Sequence, residues 1–416
     1  MREMKDSGVE WIGEIPVSWQ ILTIGSVFKV RNEKVNDTDY PPLSVTKGGV
    51  VPQMENVAKS DANDNRKMVL SNDFVINSRS DRKQSCGVSP MDGSVSLINT
   101  VLYPANGSPV IPAYLNYLLK NYGFAEEFYR WGHGIVADLW TTRWQEMKSI
   151  LLPIPSMGEQ QQILEVISEK TDKVDTLIAN VEAQIEKLKD YKQSLITEVV
   201  TKGLAPTVPM KDSGVAWIGE IPAHWEIKRG KALFKETEVR SADGSEELLT
   251  VSQYTGITPR SQKNVTMFEA LSLEGYKICE IGDIAANTMW LWAGAIGVSE
   301  YRGVISPSYN VYRQRGNDFI PRYLDHLLRA PMLVQEYASL STGIRASRLR
   351  LYPKDFLNIH FPVPPLEEQQ AILDALSSKC SAVDRLISIK RAKIEKLEQY
   401  KRSLIYEYVT GKREVV

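Results

Sequence analysis

Sixteen residues of this chain are spelled twice. MKDSGVEWIGEIPVSW begins at Met4 and MKDSGVAWIGEIPAHW at Met210, an offset of 206 with three letters changed. The echo continues downstream. Leu43-Ser44-Val45-Thr46 matches Leu249-Thr250-Val251-Ser252 at the same offset, while PAYLNYLL from Pro112 matches PRYLDHLL from Pro321 at 209. Glu159-Gln160-Gln161 pairs with Glu368-Gln369-Gln370, and Glu186-Lys187-Leu188 with Glu395-Lys396-Leu397, also at 209. The chain is therefore one unit used twice. Two copies are too few for a solenoid and point instead to a pseudo-twofold molecule.

Both copies share one grammar: the Trp-Ile-Gly-Glu-Ile-Pro phrase, a mixed region with short β-type runs such as Asp73 to Asn77, and a long charged helix. In the first helix the apolar residues Ile163, Ile167, Val174, Leu177, Val181, Leu188, Tyr191 and Leu195 recur at steps of three and four, with Lys170 and Gln184 as polar interruptions. The second repeats the pattern with Ile372, Leu376, Val383, Leu386, Leu397, Tyr400 and Leu404. That spacing predicts a coiled-coil seam. One seam cannot bury itself in water, so the two helices, each about 42 residues and roughly 60 Å long, are expected to pair antiparallel.

Ala205-Pro206-Thr207-Val208-Pro209 reads as a short stiff linker. Trp11, Ile12, Ile15 and Trp19 read as an apolar clasp, so the repeated phrase is predicted to be a joint that docks each unit on the helix before it. Thr410-Gly411-Lys412 should then lie beside Met4. The expected fold is α+β: two pseudo-twofold-related mixed α/β domains separated by an antiparallel pair of long coiled-coil helices. The boundaries read as 1–155 for the first domain, 156–204 for the first helix with its linker, 205–364 for the second domain and 365–416 for the second helix.

At 416 residues, 43% of them hydrophobic and 24% charged, the chain exceeds one ordinary core. Three scattered cysteines fit a reducing cytosol, and MREMKDSGVE lacks the apolar core of a signal peptide. The most apolar stretch, Ile284 to Val298, is shorter than a membrane span. A cytoplasmic protein is expected. The net charge of −1 gives no global sign of an anion-binding protein, so any nucleic-acid surface must be local.

Catalytic signatures are missing. Gly230-Lys231 lacks the upstream glycine of a phosphate loop, and Gly132-His133-Gly134 follows Tyr129-Arg130-Trp131 in place of an apolar strand. His133, His224, His326 and His360 have neither zinc spacing nor a partner nucleophile and read as structural. No catalytic or metal-ligating residue is expected, and there is no amino-methyltransferase motif.

The frames of the copies agree, whereas their interiors, about Thr23 to Trp131 and Arg229 to Leu340, share only scattered apolar positions. A scaffold that holds its supports constant and varies its display suggests two recognition surfaces. In the first interior, Asn77, Arg79, Arg82 and Lys83 form a polar, cationic loop of the residue types that contact base edges; its competing reading is a solvated surface. His133 and Arg143 flank a glycine- and tryptophan-containing loop whose counterpart carries Arg345, Arg348 and Arg350. Asn287 aligns with Asn77 and precedes Trp290, Leu291 and Trp292; at least one of these tryptophans reads as core. All eleven of these polar and aromatic residues are candidates for contact with DNA.

The residues that frame the repeat carry a resemblance. Ser-Gly-Val-Glu-Trp-Ile-Gly-Glu-Ile-Pro from Ser7, its second copy from Ser213, and Pro-Leu-Glu-Glu-Gln-Gln-Ala-Ile at Pro365 to Ile372 look like the specificity subunit of type I restriction-modification systems. The likeness covers essentially the whole chain, with Ser156-Met157-Gly158 as a departure from the usual Pro-Pro-Leu. It implies that each interior is a target recognition domain reading one half of a bipartite double-stranded DNA site, with the helices setting the spacer. It also implies no catalysis and no cofactor in this chain. Two methyltransferase subunits using S-adenosylmethionine would dock on it, and through them restriction subunits that need ATP and Mg2+. Two other classes compete: an autonomous DNA-modifying or cleaving enzyme with unfamiliar motifs, and a coiled-coil scaffold with no DNA role.

Overall fold

The computed structural model describes residues 2–53, 64–79, 82–134, 140–205, 207–263, 272–343 and 349–415. It separates into two compact units, Met1–Glu182 with Arg391–Val416, and Ala183–Lys390. Each unit contains a mixed α/β body together with stretches of both long helices, Met157–Lys202 and Leu366–Val409. No helix among the described residues is long and apolar enough to cross a membrane.

The two bodies share a sheet plan. In the first, an antiparallel four-stranded sheet runs Cys86–Val88, Phe74–Asn77, Asn99–Pro104, Phe28–Arg31. In the second, Ile296–Val298, Ile284–Ala286, Asn310–Gln314 and Phe234–Thr237 take the same order. Successive side chains of a strand face opposite ways, and both faces here are covered. Phe74 and Ile76 point into a large core that includes Ile163, Ile167 and Leu404 of the helices, while Val75 and Val101 meet Leu43, Val50, Val69 and Val95 on the far side. Ile284 and Ala286 repeat the first role, and Ala285 and Val311 the second. A strand buried on both faces reads as a continuous apolar run, which is how Phe74-Val75-Ile76 and Ile284-Ala285-Ala286 are written.

The joint is present in both units. Gly411 and Gly203 end the long helices in the left-handed conformation, φ +74° and +77°, where glycine carries no steric penalty. They are also points of close approach: a Cβ would stand 2.4 Å from Pro16 Cδ at Gly411, and 2.8 Å from Glu368 Oε1 at Gly203. The phrase residues pack around them, with Trp19 and Trp225 almost fully buried. Arg2 donates to the Gly411 carbonyl at 2.9 Å, which brings the end of the second helix to the start of the chain, and Tyr406 OH donates to Trp11 O at 2.8 Å.

The helices pair antiparallel within each unit. In the first, Ile163 and Ile167 share a core with Leu404, Tyr408 and Val409, and Lys401 reaches Asp175 at 2.6 Å. In the second, Lys192 bonds Asp384 at 2.7 Å and Lys390 bonds Gln184. The seam's phase differs from the expected one. Val174, Ile178, Val181, Ile185, Leu188, Lys192 and Leu195 occupy it, alternating steps of four and three, and Leu376, Cys380, Val383, Ile387, Lys390, Ile394, Leu397, Lys401 and Leu404 do so opposite. Leu177 and Tyr191 lie one position off and are 48% and 56% exposed; their repeat partners Leu386 and Tyr400 are 47% and 50% exposed. The strict heptad prevails because it keeps the same edge of each helix on its partner over many turns. Lysines within the seam then find acceptors on the opposite helix, a device that fixes register.

Candidate nucleic-acid interface

The strand that leads into each candidate loop is pinned at its start. Asp73 accepts two hydrogen bonds from the Arg31 guanidinium, at 2.7 and 3.1 Å, and one from Leu70 N at 2.9 Å. Asp283 accepts two from Arg313, both at 2.7 Å, and one from Glu280 N at 2.9 Å. The arginines come from different strands, Phe28–Arg31 and Asn310–Gln314. Both fork onto a buried carboxylate in the bidentate manner that fixes geometry.

At the far end of the first strand, Asn77 turns the chain. Its Oδ1 accepts from Arg79 N at 3.0 Å and its own N–H donates to Ser85 O at 2.9 Å. The return passes through Gln84 in the left-handed region, φ +63°. Asn77 thus shapes the loop, while Arg79 and Arg82 are exposed on it. Lys83 Nζ bonds Glu126 at 3.0 and 3.2 Å and lies 4.1 Å from the Tyr129 ring centroid, so its charge is balanced locally. Beneath the loop, burial pushes the Cys86 thiol up to about 12, which keeps it protonated.

A second segment is stitched to this loop. Thr142 N donates to Ser78 O at 3.0 Å, Arg79 bridges Thr141, and His133 and Thr141 exchange two backbone hydrogen bonds of 3.0 Å. Thr142 Oγ1 and Trp140 Nε1 tie the segment down by donating to Phe128 O and Tyr129 O. Arg143 is exposed at the start of the short helix Trp144–Met147, its N–H held by Glu146. The structure therefore brings Asn77, Arg79, Arg82, Lys83, His133 and Arg143 onto one surface of the first unit.

The second unit builds the same place from other residues. Thr342 and Arg350 exchange backbone bonds of 2.9 Å at the positions equivalent to His133 and Thr141, leaving the Arg350 side chain exposed. Arg345 and Arg348 lie outside the described residues. Asn287 is 6% exposed; its Nδ2 donates to Tyr309 OH at 2.9 Å and its Oδ1 accepts from Met289 N at 3.2 Å. It holds the loop from within. Trp290 is 51% exposed and stacks on the half-buried Trp292 with centroids 5.8 Å apart. The expectation of a core tryptophan is not met, because the three-residue turn Leu291–Ala293 aims Leu291 inward and gives it the buried place. Gly294, at φ +86° and packed on Val334, closes that turn.

The two surfaces share a frame and differ in chemistry: a cationic loop in one, a stacked indole pair in the other. Arginines suit base edges and phosphates, and aromatic faces suit thymine methyls and sugars. No group of three or more His, Cys, Asp or Glu side chains that could hold a metal ion occurs among the described residues.

Comparison with known proteins gives likenesses of three kinds, to a family model, to curated sequences and to a solved fold. The family model described as the type I restriction modification DNA specificity domain matches residues 225–399. A protein of Methanocaldococcus jannaschii named as the type I restriction enzyme MjaX specificity subunit is 24% identical over 96% of this chain and 95% of its own length. The MjaVIII specificity subunit of the same organism is 28% identical over 64% of this chain and 62% of its own. A solved chain, from work on complex assembly and conformational transition of the type I R-M system, has TM-score 0.63 at 16% identity. It covers 96% of this chain and 99% of that one, which shows a shared fold. The domain match and the full-length likeness agree with the duplicated frame and the paired helices: residues 225–399 match the type I restriction modification DNA specificity domain, and the chain is similar over nearly its whole length to a type I specificity subunit.

Proposed function

We propose that each unit reads one half of a bipartite double-stranded DNA site, that the long helices set the unread spacer, and that this chain performs no chemistry itself. Methylation with S-adenosylmethionine and ATP- and Mg2+-dependent restriction then belong to partner subunits, two methyltransferase subunits and the restriction subunits they recruit, in the cytoplasm. The observation that carries this reading is the contrast inside the chain. The frame repeats its buried hydrogen bonds at the Gln160 and Gln369 side chains, while the loops at Asn77 and Asn287 present unlike side chains on matched strands.

On this reading Arg79, Arg82, Arg143, Trp290 and Arg350 contact DNA directly, and Arg345 and Arg348 are proposed to join them. Asn77 and Asn287 shape the loops, and Lys83 and His133 border them. Partner docking is supported by Leu177 and Leu386, which are equivalent, exposed, and flank the seam in the same heptad position. An apolar residue kept on the surface in both copies, beside interiors that diverge, fits two copies of one partner.

The test replaces the second interior, 229–340, with that of another specificity subunit and selects duplexes from a randomised pool with the full methyltransferase complex. One half of the selected site should change while the other half stays. A change in both halves, or in neither, overturns the reading. Cleavage or methylation of DNA by the purified chain alone would favour an autonomous enzyme instead.

A further inference from the structure

Each unit carries a separate two-stranded hairpin whose base is matched between the units and whose tip is not. In the second unit Leu249–Ser252 pairs with Gly256–Pro259, from Leu249↔Pro259 to Ser252↔Gly256, leaving Gln253, Tyr254 and Thr255 in the turn. In the first, Leu43–Thr46 pairs with Gly49–Pro52, from Leu43↔Pro52 to Thr46↔Gly49, leaving only Lys47 and Gly48. The extra residue falls at the tip. Gly256, at φ +64°, supplies the left-handed residue that closes a three-residue turn.

Tyr254 is 81% exposed, the highest value among the exposed large hydrophobic side chains described. Single exposed apolar residues are ordinary on protein surfaces. This one stands on a turn that is held from two sides. Arg329 Nη2 donates to Tyr254 O at 2.7 Å and to Gln253 O at 3.5 Å, and Lys263 Nζ donates to Thr255 Oγ1 at 2.9 Å. Ser252 Oγ accepts from Tyr254 N at 3.2 Å. Beneath, the Cβ position of Gly297 lies 3.4 Å from Gly256 Cα, so the hairpin is bedded directly on the strand that follows the Trp290 loop. A rigid aromatic tip pays little ordering entropy on binding, and Lys263 beside it favours an anionic partner, whereas the Arg329 charge is offset by Asp325 at 3.5 Å and serves the turn.

We propose that Tyr254 is a sequence-reading side chain of the second unit, its ring set against a base edge or a thymine methyl in a groove of double-stranded DNA. Arg329 is a positioning residue that fixes the turn, and Lys263 neutralises a neighbouring phosphate. The proposal rests on the DNA-reading function above. The first unit, with Lys47 and Gly48 at the same place, then reads its half-site with a different probe, in keeping with two unlike halves.

The experiment uses the full chain in its methyltransferase complex and duplexes carrying the sequence that the wild-type complex selects from a randomised pool, with each base pair substituted in turn. Tyr254→Ala should weaken binding roughly 10-fold on the selected duplex. It should also flatten preference at one or two base pairs of a single half-site, leaving the other half unchanged. Arg329→Ala should blunt the same base pairs, a readout that a purely structural role would not produce. Circular dichroism confirms folding, which an exposed residue should not perturb. Wild-type affinity and preference in Tyr254→Ala overturn this inference alone, as does an equal loss on every sequence. A wild-type complex with no sequence preference overturns the DNA-reading function and this inference with it.

Discussion

The indole Nε1 of Trp19 donates to Glu159 Oε2 at 2.9 Å, tying the opening phrase of the chain to the first turn of the first long helix. Trp225 and Glu368 repeat the bond at 2.9 Å in the second unit. Each glutamate takes a second donor from the phrase side, Arg2 in one unit and His224 at 2.7 Å in the other. A carboxylate in the first turn also meets the positive end of the helix dipole. This is why tryptophan and glutamate recur in both copies while the donors beside them are free to differ.

One residue further along, Gln160 is fully buried and makes three bonds: Oε1 accepts from Ile111 N at 2.8 Å, and Nε2 donates to Pro109 O at 2.6 Å and Pro155 O at 3.0 Å. Gln369 does the same with Ile320, Asp318 and Pro364. Gln160→Ala should cost about 2–4 kcal/mol, because it strands buried backbone groups as well as losing bonds. Hydrogen exchange at the Ile111 amide should accelerate accordingly, and Gln369→Ala should do this at Ile320. Gln161→Ala, exposed and bonded only along its helix to Glu165, is the control and should cost less than about 0.5 kcal/mol.

His326 gives the second unit a pH dependence. Burial lowers its pKa below the ordinary 6.5, with Arg322, Arg329 and Lys192 adding to the effect and Asp325 opposing it. The unfolded chain therefore binds a proton more readily than the folded one, and this contribution to stability is present above pH 6.5 and declines as the pH falls below it. Melting temperatures at pH 7.5 and 5.5 should differ less in His326→Gln than in the wild type. An equal difference in both would show that other groups govern the acid limb.

Much of the frame was legible because repetition within one chain does the work of a comparison. The paired helices, the joint at Gly203 and Gly411 and the correspondence of Asn77 with Asn287 all follow from it. The seam's phase did not, since Leu177 stands next to Ile178, and Leu386 next to Ile387, and spacing alone permits either neighbour to face inward. The exposure of Trp290 is not legible either, because hydrophobicity says nothing about a three-residue turn that hands the interior to Leu291. The tip at Tyr254 has a signal in the letters, where the copies match through Ser252 and then slip by one residue before Gly256. Loop surfaces such as that of Arg79 and His133 depend on contacts like Thr142 N to Ser78 O, which no local pattern encodes.

The candidate interface makes a directional prediction about specificity. Arg79→Ala and Arg82→Ala should relax discrimination in one half-site, and Arg350→Ala in the other, by about 1–3 kcal/mol for each arginine that contacts a base. Binding measured against duplexes substituted one pair at a time separates the outcomes. Loss confined to particular base pairs marks base contacts. Equal loss on all sequences, with a shallower dependence on salt, marks phosphate contacts.

Leu177 and Leu386 allow the proposed stoichiometry to be tested in steps. Both are about half exposed and flank the seam at the same heptad position, so replacing either with glutamate should leave folding intact, within about 0.5 kcal/mol. If each seats one methyltransferase subunit, Leu177→Glu should yield complexes with a single partner, Leu386→Glu likewise, and the double variant none, as read by native mass spectrometry at a fixed partner concentration. Because the charge would be buried against an apolar partner, each change should weaken its own site by at least 10-fold. Two partners retained by the double variant would place the docking surface elsewhere on the chain.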